Sequence, residues 1–338
     1  MKKIAQQLWF TGQQQVEVRV RELELPAPDE VLVEVNCSAI SAGTEMLVYR
    51  GQLPAEIALD ANIESLQSQN YPLQYGYACV GTVIQLGENV DDSWLGQTVF
   101  AFQPHASHFV SRVESLIPVP ADISAEDAVF LANMETAVNL LHDGKPVVGE
   151  RVLVLGQGIV GLLLTSLLAQ LPLTETLVAD KWLVRRQLAN QLGANSFDPL
   201  IAEERKAQQS RLEKEQGADL IFELTGVPDV LNLAIDFSGY HSRIVIGSWY
   251  GTKTASVYLG GAAHRNRLQI VTSQVSSIAP ELTGRWNKAR RFDVTWDMIR
   301  RFKPSRFISH RNALDDAPII YEYLDQQAES LIQALFVY

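Results

Sequence analysis

Three glycines, Gly156, Gly158 and Gly161, stand at GxGxxG spacing within RVLVLGQGIVG, residues 151–161. Such spacing suits the pyrophosphate of a dinucleotide. The first glycine makes a tight turn, the second lets the backbone approach the phosphates, and the third lets a helix pack on a strand. The motif gains meaning only with a strand before it and a helix after it. Val152 to Leu155 is a continuous apolar run, as in a strand covered on both faces. The stretch from Ile159 to Gln170 reads as a helix, whose first amides and dipole favour an anion. The turn therefore offers Gly156, Gln157, Gly158, Ile159, Val160 and Gly161 to a cofactor. Asp180 ends a second apolar run, where a carboxylate accepts from ribose hydroxyls and repels a 2′-phosphate. This favours NAD. Lys181, Arg185 and Arg186 follow at once and leave NADP open, and the two arginines suit a solvated helix face equally well.

Further candidates sit at the ends of later apolar runs. Thr225 and Gly226, then Gly247 and Ser248, occupy carboxyl ends of strands, where ligands gather in open α/β sheets; Trp249 and Tyr250 follow. In QPHASHF, His105 and His108 cannot both face one site on an alternating strand, which leaves one, His105, as a candidate proton donor. Between His264 and Arg311 there are eleven Lys/Arg against three acids, a balance of +8 in a chain of net charge −11. Here AHRNRL and TGRWNKARRF set arginines beside an imidazole and an indole. The combination of His264, Arg265, Arg267 and Trp286 suits an anionic, ring-bearing substrate, and the same cations suit ion pairs within the fold or across a dimer.

These residues need two kinds of scaffold. From Val16 to Val35 the pattern alternates with period two and breaks at Pro26 and Pro28; Tyr77 to Gly87, Gln97 to Phe102 and Ala106 to Arg112 read as more strands. This β region resembles a compact barrel. Cys37 to Tyr49 reads as a loop with a short turn, and Gln52 to Asn70 as a polar surface excursion. Ser124 to His142 has helical spacing and a cap at its start. From Arg151 strands and helices alternate, which implies a doubly wound parallel sheet. The tail, Trp296 to Tyr338, holds a short helix, an amphipathic helix near Asp316 to Gln327 and a final strand from Leu331 to Val337, packed back on the N-terminal region.

Composition narrows the class. A chain of 338 residues accommodates two domains, and its acidity argues against nucleic acid as a partner. Two cysteines, Cys37 and Cys79, exclude a disulfide scaffold and any four-cysteine zinc site. No apolar stretch reaches signal-peptide or membrane-spanning length, so the expectation is a soluble, cytoplasmic protein with no membrane partner.

SAISAGTE (38–45), GYACVGTVIQLG (76–87), Met134 with Glu135, the glycine fingerprint and LTG (224–226) together resemble the medium-chain dehydrogenase/reductase superfamily, the zinc alcohol dehydrogenase and quinone reductase group. The resemblance implies an α/β protein with a Rossmann sheet at 136–275 and a GroES-like β-barrel catalytic domain built from 1–135 and 276–338. It implies hydride transfer between nicotinamide and a small-molecule substrate in the interdomain cleft, Ser273 and Gln274 near the nicotinamide amide, and a homodimer. Zinc-dependent members carry a cysteine and a His-Glu pair where this chain has Ala42, Tyr77 and Ala78. Glu135 stands where some members place a third ligand, but one carboxylate is not a site. No zinc is expected. Thr44 matches the residue whose hydroxyl contacts the substrate oxygen, so the candidate catalytic set is Thr44 and Tyr77 as hydroxyl donors, with Glu45, Glu135 and His105. The implied activity is alcohol–carbonyl interconversion with NAD(P). Quinone or enoyl reduction and a non-catalytic nucleotide sensor are the alternatives.

Overall fold

A computed structural model describes residues 3–54, 70–326 and 329–338. Of the surface excursion expected at 52–70, residues 55–69 lie outside the described residues. The chain divides into two units, Met1–Ala132 with Trp296–Tyr338, and Asn133–Thr295.

The first unit opens with the hairpin β1 (Lys3–Gly12) and β2 (Gln15–Leu23) and continues through β3 (Glu30–Ala39), whose residues Val31, Val33 and Val35 are core. The loop expected over Cys37 to Tyr49 is instead a helix from its sixth residue on, α1 (Ala42–Tyr49). Met46, Leu47, Val48 and Tyr49 are all buried, so α1 has no polar face and showed no amphipathic period. Strands β4 (Cys79–Leu86), β5 (Thr98–Ala101), β6 (His108–Arg112) and β7 (Leu116–Pro118) follow. The helix expected from Ser124 is two: α2 (Ala125–Ala128), with the Ser124 hydroxyl accepting from the Asp127 amide, and α3 (Leu131–Gly144). The break lies at Val129 and Phe130, both fully buried.

In the second unit β8 (Arg151–Leu155), α4 (Ile159–Leu168), β9 (Glu175–Ala179), α5 (Leu183–Gln191), β10 (Asn195–Phe197), α6 (Ala202–Lys214), β11 (Ala218–Glu223), α7 (Val230–Phe237), β12 (Ser238–Ile246) and β13 (Gln269–Thr272) build one sheet and its covering helices. Every strand pairing is parallel, in the order β10-β9-β8-β11-β12-β13. That is the doubly wound order with its reversal beside β8, so the turn after Leu155 opens on the crevice where such sheets bind nucleotides. Leu153, Leu177, Ile221 and Ile244 fill the core, and Phe197 stacks on Phe237 at 5.5 Å.

The chain returns through α8 (Lys288–Phe302), β14 (Ile308–Ala313), α9 (Ala317–Gln326) and β15 (Gln333–Val337). Strand β14 is absent from the sequence-based expectation, because between Ile308 and Ala313 the segment is polar; it forms by pairing in parallel with β15. The sheet of the first unit then runs β14-β15-β3-β4-β5-β7, with β6 also on β3. Leu8, Phe10, Val48, Tyr321 and Phe336 share one core there.

Candidate functional site

The glycine turn is shaped by contacts specific to each position. Gly156 has φ +95°, and a Cβ there would stand 2.8 Å from the Leu224 backbone. A Cβ on Gly161 would meet the Gly156 carbonyl at 2.2 Å. Gly158 differs. A Cβ there meets nothing within 4 Å, and Gly158 is the N-cap of α4 with no side chain capping the helix. Open space in front of helix amides is what a pyrophosphate requires. Ile159 and Val160 are half-buried beside it, whereas the Gln157 side chain is fully buried, donating to Gly156 O at 3.2 Å and accepting from Thr165 Oγ1 at 3.0 Å.

Asp180 ends β9 and reaches across this turn. Its Oδ2 accepts from the Gln157 amide at 2.8 Å and its Oδ1 from the Trp182 amide at 2.8 Å. A carboxylate has about four lone-pair sites, so acceptor capacity for a ribose remains. Arg185 Nη1 lies 4.0 Å from Asp180 Oδ2; burial lowers the arginine's pKa and the carboxylate opposes that shift. Arg186 is no solvated residue: it donates to Asp198 Oδ2 at 2.9 Å and to Asp180 O at 2.7 Å.

A second carboxylate, not anticipated, organises the adjoining strand ends. Glu223 at the end of β11 is fully buried; it accepts from the Thr225 amide at 2.7 Å, from the Thr225 hydroxyl, and from Tyr250 OH at 2.5 Å. Its carbonyl accepts from the Gly247 and Ser248 amides, and Ser248 Oγ accepts from the Gly226 amide at 2.9 Å. Thr225, Gly226, Gly247, Ser248 and Tyr250 are thus brought into one cluster, with the half-buried Trp249 between the last two. Burial raises the Tyr250 pKa, and the neighbouring Glu223 charge adds to the rise. The sequence signal was available: an acid closing the apolar run LIFE cannot be buried without partners.

After β13, Ser273 donates to Asp143 Oδ2 at 2.6 Å and accepts from Asn139 Nδ2 at 3.0 Å, while Gln274 Oε1 accepts from the Ser276 amide. Arg291, with no exposed surface, donates to Glu135 Oε1 at 2.8 Å, to Asn139, and to the carbonyls of Val275 and Ser277. Glu135 also accepts from Lys288 Nζ at 2.9 Å. The carboxylate that was a catalytic candidate is therefore bonded to two cations on the stretch after β13. Trp286 packs between the His142 ring at 4.3 Å and the Arg290 guanidinium at 4.2 Å, whereas His264, Arg265 and Arg267 are exposed. Much of the basic stretch is neutralised locally: besides Arg291 and Lys288, Arg300 pairs with Asp122 and Arg311 with Glu126.

In the first unit Thr44 Oγ1 and Tyr77 OH lie 2.9 Å apart, and Thr44 Oγ1 also reaches Ser41 O at 3.2 Å. Burial raises the Tyr77 pKa, opposed by the hydroxyls of Ser41 and Thr44, so the phenol is a donor at neutral pH. Behind this pair Glu45 is fully buried. Its Oε1 accepts from the Ser41 amide at 2.7 Å; its Oε2 faces His105 Nε2 at 3.1 Å and accepts from Tyr321 OH. His105 has no exposed surface, and its Nδ1 lies 2.7 Å from Ser38 Oγ, which lies 2.8 Å from Tyr338 OH. It precedes β6 and does not lie on it; His108, on β6, faces Glu34 at 3.3 Å. Ser38 and Tyr321 carried no sequence signal, being 67 and 216 residues from His105. Among the described residues, no three His, Cys, Asp or Glu side chains group as a metal ion would need.

Residues 27–115 match the alcohol dehydrogenase GroES-like domain family. The chain is 24% identical over 326 residues to D-guloside 3-dehydrogenase of Escherichia coli (strain K12), covering 90% of this chain and 92% of that protein. Its fold matches the crystal structure of 2R,3R-butanediol dehydrogenase from Bacillus subtilis with a TM-score of 0.80 at 19% identity, over 99% of both chains. It also matches an alcohol dehydrogenase from E. coli CFT073 complexed with NADH, with a TM-score of 0.79 at 19% identity, again over 99% of both chains. Residues 27–115 thus belong to the alcohol dehydrogenase GroES-like domain family, in a chain whose doubly wound sheet carries a glycine turn open to an anion and whose fold is that of dehydrogenases of known structure.

Proposed function

We propose that the protein is a zinc-independent dehydrogenase/reductase that interconverts a small alcohol and its carbonyl compound, with NAD preferred over NADP. The observation that carries this reading is the Thr44–Tyr77 hydroxyl pair at 2.9 Å, in a segment where Ala42 and Ala78 offer a metal nothing. When bound, the nicotinamide cofactor supplies or takes up the hydride. The chain's own residues do the rest. Gly158 and the first amides of α4 hold the phosphates, Asp180 takes the adenosine ribose, and the Glu223 cluster orders the neighbouring strand ends. The phenol of Tyr77 stays protonated and donates to the oxygen that gains negative charge as a carbonyl is reduced. Thr44 is placed to exchange the alcohol proton, because its hydroxyl lies within hydrogen-bond distance of both Ser41 O and the Tyr77 phenol.

The exposed His264, Arg265 and Arg267 support an anionic group on the substrate. A homodimer is supported by β13, a sheet-edge strand with Ile270 and Val271 exposed.

The test uses a panel containing a vicinal diol, a hexitol and a simple secondary alcohol, with reduced-cofactor absorbance as readout. Thr44→Val and Tyr77→Phe should each lower kcat/KM by about 100-fold while NADH affinity holds. Unchanged turnover in both would sink the assignment. Retained quinone or enone reduction in Thr44→Val would favour the double-bond alternative, and NADH binding without any turnover would favour the sensor. Zinc required for turnover, at one equivalent per chain, would overturn metal independence.

A further inference from the structure

We propose that Ser41 is a third hydroxyl donor to the substrate oxygen, completing a cradle with Thr44 and Tyr77 at the start of α1. This rests on the reading of that pair as the oxygen-binding site. Ser41 holds the N-cap position, where a serine hydroxyl ordinarily accepts from an amide two or three residues on. Here it does not. Its backbone, at φ −88° and ψ 78°, is outside the extended range usual for a cap, and its side chain makes no capping bond. The support at this helix start comes from Glu45, whose carboxylate accepts the Ser41 amide at 2.7 Å.

The released hydroxyl is anomalous in its own right. Ser41 is 4% exposed, and its Oγ has no hydrogen-bond partner among the described residues. Buried hydroxyls are nearly always satisfied, so an orphan calls for a role or a missing partner. Its surroundings specify that partner. Both the amide and the hydroxyl of Thr44 bond to Ser41 O, which fixes the two residues on one turn. The Tyr77 phenol is bonded to the Thr44 hydroxyl at 2.9 Å, and the Ser41 hydroxyl is near enough to join Thr44 in opposing the effect of its burial. Three hydroxyls therefore converge, two of them already bonded to each other and the third without a partner. A ligand that answers all three is an oxygen able to accept several hydrogen bonds, such as a carbonyl gaining negative charge. The dipole of α1 acts in the same sense. Ser41 donates a hydrogen bond and transfers no proton.

Ser41→Ala in the full chain tests this with two independent readouts. A cap serine would destabilise on truncation, whereas an unpartnered buried hydroxyl costs free energy that the alanine removes. The expected thermal midpoint without ligand is unchanged or higher, NADH affinity is unchanged, and kcat/KM for the best wild-type alcohol of the panel falls by about 10- to 100-fold, mostly in kcat. A midpoint lowered by about 2 °C or more would make Ser41 a helix cap and overturn the proposal. Wild-type turnover with an unimpaired alanine variant would overturn the Ser41 role alone. A wild type that binds NADH and turns over no alcohol or carbonyl would overturn the dehydrogenase reading, and the Ser41 role with it.

Discussion

The three glycines of the 156–161 turn have different surroundings, and each substitution therefore acts differently. Gly161→Ala drives a methyl into the Gly156 carbonyl and should cost about 2 kcal/mol in chemical denaturation. Gly158→Ala meets open space, so stability should change by no more than about 0.5 kcal/mol. Its methyl stands where the phosphates approach, and NADH affinity in a fluorescence titration should fall at least about 10-fold. Unchanged affinity would remove this turn from the cofactor site. Glu135→Gln leaves the buried Arg291 guanidinium without its counter-charge and should destabilise by about 3 kcal/mol in urea; a change near zero would show the pair to be dispensable. His142 sets a pH dependence. Burial holds its pKa below the ordinary 6.5, and Arg291, Arg290 and Arg285 push in the same direction. A group depressed in the fold contributes stability above its unfolded pKa and loses it as pH falls through the folded value. The thermal midpoint should therefore drop as pH falls below about 6.5, and His142→Phe should flatten that drop.

Elements are joined by polar side chains as much as by apolar ones. Glu45 on α1, Tyr321 on α9 and His105 before β6 meet in a fully buried cluster, with the Tyr321 ring edge-on to Phe10 at 5.3 Å. Tyr321→Phe keeps the ring and removes one donor to Glu45, so a loss of about 1–3 kcal/mol is expected in urea, with NADH affinity unchanged. A neutral result would mean that the phenol is not needed to satisfy the carboxylate. The same scale shows why some elements were legible and others were not. β8 and β9 announced themselves because parallel strands buried on both faces are written as apolar runs. α1 is not legible because a helix buried all round has no periodic polar face, and β14 is not legible because its sequence is mostly polar and its pairing partner, β15, lies 20 residues further on.

Across the whole molecule, two units with separate cores carry separable properties. NADH at about 100 times its Kd should stabilise the folded protein by about 2.7 kcal/mol, seen as a thermal shift, and a variant Gly158→Ala that binds about 10-fold more weakly should show about 1.4 kcal/mol or less at the same concentration. A shift of undiminished size in the variant would place binding elsewhere. No helix among the described residues is long and apolar enough to cross a membrane. The sequence by itself determined what local pattern encodes: the doubly wound unit, the turn with Gly156, Gly158 and Gly161, the Asp180 strand end, and the alanines at positions 42 and 78. Glycine spacing and side-chain period are short-range properties, and a one-dimensional reading captures them. Tertiary structure alone decided the partners. It joined Glu135 to Arg291 across 156 residues and Glu45 to Tyr321 across 276, brought Glu223 to Tyr250, and left the Ser41 hydroxyl without a hydrogen-bond partner among the described residues. A buried charge or hydroxyl must be satisfied by whatever the fold brings beside it, and that neighbour can come from anywhere in the chain.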